Sequence, residues 1–186
     1  MSIEEENTFV WPYEFTCTIV SEKVFIPNHY SLRLSVEPTL PINDNVGMGF
    51  RRIRYLMDNY LTNCLMINQE SSYYQSIKDT DTPLMVLPCE PYDYYVGSFL
   101  LRKLLTVTKN FFDISQMTID SAAGDRIQYT LWDPSDCGLD LSGDNWWNWD
   151  NLSTNNDVKI TWKTLKHKES RRFEPTVIKG GLSENK

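Results

Sequence analysis

Histidine is scarce in this chain: among 186 residues there are two, His29 and His167. A histidine-rich metal site is excluded by count, and a Ser/His/Asp or Cys/His hydrolase would have to rely on one of these two imidazoles. His167 sits in a basic tail, a poor place for a rigid base. His29 follows Pro27-Asn28, which reads as a turn, so a solvated or turn-capping role outweighs catalysis. The four cysteines, Cys17, Cys64, Cys89 and Cys137, include no CxxC pair. That spacing argues against zinc and for reduced thiols in an intracellular, cytoplasmic protein. Gly47-Met48-Gly49 lacks the third glycine and the Lys-Ser/Thr pair of a phosphate loop. MSIEEENTFV lacks the basic and apolar regions of a signal peptide, and no apolar run approaches a membrane span, so no membrane association is expected. A net charge of −7 argues against nucleic acid, which needs clustered Lys and Arg.

What is present suits one folded domain. Hydrophobic residues are 41% and charged residues 23% of the chain, close to the globular average. Aromatics reach 13%, which implies a well-filled core first and a contact surface second. Residues 14–37 read as two alternating strands joined around Pro27-Asn28 and closed by Pro38 and Pro41. Phe50, Ile53, Met57, Tyr60, Leu61 and Cys64 recur at helical spacing, which predicts a first helix continuing through Cys64. Residues 68–83 turn polar and read as loop. Leu84 to Leu87 is a short apolar run, a brief strand. A second helix starts near Asp93 as its N-cap. Residues 113–132 form a hairpin around Ala122 to Asp125, residues 133–156 a long loop, and Val158 to Trp162 a last strand.

Strand runs segregated from helices predict an α+β fold: an antiparallel sheet with two helices packed on one face. The division is an acidic extension over 1–13, one domain over 14–165, and a flexible basic tail over 166–186. Lys163 to Arg172 holds five of the 18 basic residues, and Arg171 and Arg172 are its candidate partner-binding residues.

Three features could carry function. Asp133, Asp136, Asp140, Asp144 and Asp150 form an acidic stretch without the EF-hand pattern, so a solvated loop outweighs a calcium site. Trp146, Trp147 and Trp149 either clamp a loop onto the core or mark a partner-binding surface. Asp120 ends an alternating strand, with Thr118 two residues before it. A carboxylate there can accept paired hydrogen bonds from a heterocycle, against the plainer reading of a turn-forming Asp.

Taken together, several segments resemble the tunnelling fold of the pyruvoyl-tetrahydropterin synthase and carboxy-tetrahydropterin synthase family. Phe15 to Val36 resembles its opening hairpin, with Asn28-His29-Tyr30 where a histidine-rich turn begins the second strand. Gly47-Met48-Gly49-Phe50, the helix ending near Leu65-Met66-Ile67-Asn68, and Pro88-Cys89-Glu90 resemble later segments. Met117-Thr118-Ile119-Asp120 resembles the strand whose terminal carboxylate grips the pterin. The resemblance spans roughly residues 14–132. It implies zinc held by three histidines, of which at most His29 is present here. It also implies a reactive cysteine between the first two strands, where Cys17 instead lies inside the first strand. Ring-shaped homo-oligomers joined edge to edge are implied as well.

The leading expectation is a non-catalytic oligomeric binding or assembly protein without cofactor or metal, with partners reaching it through the Trp-rich loop or the basic tail. Few glycines, irregular loops and no recognisable active site also have the flavour of a viral accessory or structural protein. The alternatives are a pterin- or purine-type heterocycle-binding protein or enzyme anchored by Asp120, and an acidic inhibitor or regulator of a partner protein.

Overall fold

A six-stranded sheet in the order β4-β3-β1-β2-β5-β6 organises the chain. The computed structural model describes residues 8–21, 24–38, 44–124, 126–160 and 162. The strands are β1 (Phe9–Ser21), β2 (Val24–Pro38), β3 (Cys64–Asn68), β4 (Leu84–Leu87), β5 (Phe112–Ser121) and β6 (Tyr129–Leu131). The helices are α1 (Asp44–Leu56), continued by a π-helical turn over Met57–Leu61, the single turn α2 (Tyr74–Ile77), and α3 (Asp93–Thr108).

The α+β class holds, but the sheet is mixed rather than antiparallel. β1 pairs antiparallel with β2, β2 with β5 and β5 with β6, while β3 lies parallel to both β1 and β4. The reason is visible in residues that the helical spacing absorbed. The π turn ends α1, Thr62 turns extended, and Asn63 takes a left-handed φ of 61°. The chain then runs as Cys64-Leu65-Met66-Ile67-Asn68 beside β1. Cys64 is therefore a strand residue, not the end of the helix. Parallel strands covered on both faces read as continuous apolar runs, and both β3 and Leu84–Leu87 have that character.

The first hairpin also differs from expectation. β1 begins at Phe9, five residues before the expected start, and its partner register runs from Phe9 opposite Val36 to Ser21 opposite Val24. Pro27-Asn28 is consequently no turn: Pro27 lies opposite Thr18 and Asn28 opposite Cys17. Because β5 joins β2 only from Tyr30 onward, Pro27 falls where β2 is an edge, the part of a sheet that tolerates proline.

One main core lies between the sheet and the face covered by α1 and α3. It gathers Tyr30, Leu32, Leu34, Ile53, Leu56, Phe99, Leu104 and Ile119 among others. A second, smaller cluster of Val20, Ile67, Leu84 and Val86 occupies the opposite face, covered by Tyr73, Tyr74 and Ile77 around α2. The segment 68–83 is thus a packed cover rather than a plain polar loop.

Gly97 permits the approach of α3 to the sheet. A Cβ there would stand 2.7 Å from Leu131 Cδ1 and 2.9 Å from Ile119 Cγ2. Gly97→Ala should destabilise the fold by about 1–3 kcal/mol through overpacking, measured by urea denaturation, with the m-value unchanged.

The long loop after β6 is fastened along α3. Trp146 and Trp147 are buried, with their indole N–H groups donating to Val86 O at 2.8 Å and Leu141 O at 3.0 Å. The clamp is therefore what these two residues do, and their assignment as partner-binding residues is corrected. Trp149 is half-buried and bonds Asp144. From α3, Arg102 Nε donates to Asn148, Lys103 Nζ to the carbonyls of Trp146 and Trp149, and Thr106 to that of Trp147. Residues 158–160 form no strand. Their Ile160 instead exchanges bonds with Leu152 and Ser153.

The acidic stretch consists of local caps and ties. Asp133 and Asp140 each accept from the serine two residues on, and its side-chain hydroxyl first and its backbone N–H second hold both carboxyls below the usual range. Asp150 accepts from Arg52 at 2.8 Å. Arg171, Arg172 and the whole 166–186 tail lie outside the described residues.

Candidate functional site

Asp93 was expected to cap α3 from outside. Instead Tyr92 holds the N-cap position and Asp93 is the first helical residue, 1% exposed. It sits at the positive end of the helix, where a carboxylate is favoured. Its two oxygens accept from Tyr30 Oη at 2.8 Å and Ser121 Oγ at 2.7 Å. Ser121 Oγ in turn accepts from Gly124 N at 2.9 Å. Burial, and then the Asp93 charge, hold the Tyr30 hydroxyl firmly protonated. A Cβ on Gly124 would overlap both Asp93 and Ser121, so glycine is required for this close approach.

Asn28 ties the same turn to β2. Its side-chain oxygen accepts from His29 N and Ala123 N, both at 2.8 Å, and Ala122 N donates to His29 O. The Asn28 amide nitrogen is buried without a hydrogen-bond partner among the described residues. It lies near enough to the Tyr30 hydroxyl to ease its ionisation slightly, without reaching bonding geometry. A buried donor left unpaired costs about 1–3 kcal/mol.

Beside this network the sheet carries a hollow of roughly 440 Å³ lined by Thr16, Cys17, Thr18, Pro27, Asn28, His29, Asn63 and Ala122. Asn63 is held there in its left-handed conformation by two contacts to one residue. Its N–H donates to Thr16 O at 2.7 Å, and its side-chain oxygen accepts from Thr16 Oγ1 at 2.9 Å. His29 lies mid-strand, not at a turn, and its Nε2 is 3.5 Å from Glu14 on the neighbouring strand. Cys17, buried in the floor, has its thiol pushed up to about 12 by burial first and the Asp93 charge second. It is a thiol, not a thiolate, at neutral pH.

Asp120 and Thr118 stand apart from this lining. They alternate with buried Met117, Ile119 and Ser121, and so face away from α1 and α3. Asp120 lies opposite Ser31 and Thr118 opposite Arg33, both half-buried. The strand brings Ala122 to the hollow two residues further on, so Asp120 is its neighbour and not one of its walls. Sequence reasoning missed Thr16, Thr18, Asn28 and Asn63 as a group. The signal available was a single one, the polar Thr residues alternating inside an otherwise apolar strand.

Among the described residues, no three His, Cys, Asp or Glu side chains group as a metal ion would need, and no helix is long and apolar enough to cross a membrane.

No family model matches the chain, and no curated protein matches it. Solved structures similar to it include the following two. One is an uncharacterized protein from Wolinella succinogenes, 6% identical over 67% of this chain and 97% of that one, at a TM-score of 0.46. The other is a catalytic-residue mutant of the 6-pyruvoyltetrahydropterin synthase of Plasmodium vivax, 13% identical over the same shares, at a TM-score of 0.36.

Proposed function

We propose that this chain is a non-catalytic binding protein whose hollow at the β1–β2 strands takes a small, flat, nitrogen-rich heterocycle of the pterin or purine kind. The observation that carries this reading is the wall itself. Two hydroxyls, of Thr16 and Thr18, the His29 imidazole and the Asn63 amide belong to the residues that line one concavity, with Asn63 fixed in an uncommon backbone conformation. Such a wall offers both donors and acceptors, as a heterocycle with adjacent ring N–H and carbonyl groups requires, and its volume falls in the range of small-molecule sites. Strained backbone tends to collect where a ligand is positioned. The protonated Cys17 thiol in the floor favours binding over nucleophilic attack.

Calorimetric titration with a panel of pterins and purines tests it. Micromolar binding by at least one member, weakened tenfold or more by Thr16→Val or Asn63→Gly, is the expected result. No heat and no thermal shift from any member at millimolar concentration would overturn it.

A second reading, homo-oligomeric assembly, draws on the sheet's last strand. β6 closes the order at one side, and beside it Ile127 and Trp132 are 52% and 63% exposed. Exposed apolar residues flanking a terminal strand favour pairing with another chain. Light scattering should then give a mass that is a multiple of the chain's, falling to one chain in Trp132→Glu.

A further inference from the structure

A second concavity, of roughly 220 Å³, opens where β4 begins and shares no wall residue with the hollow. Three distant stretches of chain line it: Tyr60 in the π turn, the lead from α2 into β4, and the end of the long loop after β6. Each stretch is fastened. Thr62 N donates to Met57 O at 2.8 Å across the π turn, Leu65 N to Pro83 O at 2.9 Å, and Val86 N to Thr154 O at 2.9 Å. Tyr74 of α2 donates to Asp157 and so ties the loop to the helix.

The residues around this concavity hold polar groups that the fold itself does not use. Asn155 Oδ1 accepts from Asp157 N at 3.0 Å and Val158 N at 2.9 Å, while its Nδ2 donates to no described residue. Burial first and Tyr55 second raise the pKa of the half-buried Tyr60 hydroxyl, so it stays a donor. Among the described residues, neither Lys78 nor Asp81 makes an ion pair. They stand three residues apart, so their Cα atoms are at most about 11 Å from each other and one small molecule can meet both. The apolar share comes from Leu84, Ile160 and Val158, of which Val158 is 48% exposed.

We propose that this concavity binds a free α-amino acid with an apolar side chain. Lys78, Tyr60 and Asn155 supply N–H and O–H donors for its carboxylate, Asp81 accepts from its ammonium group, and Leu84, Ile160 and Val158 cover its side chain. The two opposite charges select the class. A simple carboxylic acid would set its negative charge against Asp81, and a simple amine would set its positive charge against Lys78, whereas a zwitterion is complementary to both. The volume selects the size, since it falls below the about 300–1,000 Å³ of sites for drug-sized ligands. Lys78 and Asp81 are exposed, so their ion pairs with the ligand contribute modestly and the affinity should lie in the high-micromolar range.

The test is calorimetric titration of the full chain at neutral pH with leucine, valine, methionine and phenylalanine in turn. Saturable binding by at least one of them is the expected result. The analogue of that ligand without its amino group, and the one without its carboxyl group, should each bind about tenfold more weakly, because each leaves one charged side chain unmatched. Lys78→Ala and Asp81→Ala change exposed residues and should leave the fold intact while weakening binding about fivefold. Val158→Asp should weaken it further by making the apolar wall acidic. No heat from any of the four amino acids at millimolar concentration would overturn the proposal. So would equal affinity for either analogue, or binding unchanged in both Lys78→Ala and Asp81→Ala.

Discussion

Asp93→Ala should cost the protein about 3–5 kcal/mol, enough to unfold much of a domain of ordinary stability. The carboxylate is 1% exposed and is the acceptor for two buried hydroxyls, Tyr30 and Ser121. Removing it strands both, at about 1–3 kcal/mol each, and leaves a void at the start of α3. Gly124→Ala should act on the same network from the other side, by driving a methyl group into Asp93 and Ser121. Because the two substitutions share partners, their effects should fall short of additive in a double-mutant cycle. Chemical denaturation of the two single variants and the double one measures this. A loss below about 1 kcal/mol for Asp93→Ala would show that the network is not what holds α3 to β2 and β5.

Stability should rise as pH is raised from about 7 toward ~9. Lys103 is 0% exposed, and burial lowers its pKa from 10.5 to about 7, opposed in part by Asp150. Between those two values the unfolded chain carries a proton on this amine that the folded chain lacks, so stability increases with pH, by on the order of 1.4 kcal/mol per unit at most. The neutral amine still has two N–H groups, one for each of the Trp146 and Trp149 carbonyls at 2.8 Å. Deprotonation therefore removes a buried charge without breaking a bond. Above ~9 the trend should reverse. Burial holds the thiols of Cys17 and Cys89 up at about 12 and about 11 and raises Cys64 as well, so the unfolded chain ionises there while the folded one does not. Thermal melts from pH 6 to 10.5 should trace a maximum, and Lys103→Met should flatten its rising limb while leaving the fall at high pH. A rising limb unchanged in that variant would show that Lys103 stays charged when folded.

Local patterns in the sequence were sufficient wherever one period ran unbroken against one surface. The start of α3 near Asp93, the alternation along β5 and the position of the β5–β6 hairpin followed from the local residue pattern, although α3 is buried on more than one face, between the sheet and the loop after β6. The absence of a three-histidine zinc set and of paired cysteine ligands was equally a matter of reading residues. Tertiary structure decided the rest. Cys64 completes a helical stripe on paper, yet the π turn and the left-handed Asn63 divert it into a parallel strand, since β1 offered a pairing partner that no local pattern reveals. Pro27-Asn28 has turn chemistry, but the hairpin register carries it into an open edge where proline costs little. Trp146 and Trp147 suited a core clamp and a contact surface alike, and only the packing of the loop along α3 puts them inside. The hollow is the clearest case, because Thr16, Asn28, Asn63 and Ala122 are adjacent solely through strand pairing. A sequence specifies which side chains it owns, whereas a site needs them at a few ångströms, and that distance is set by the fold.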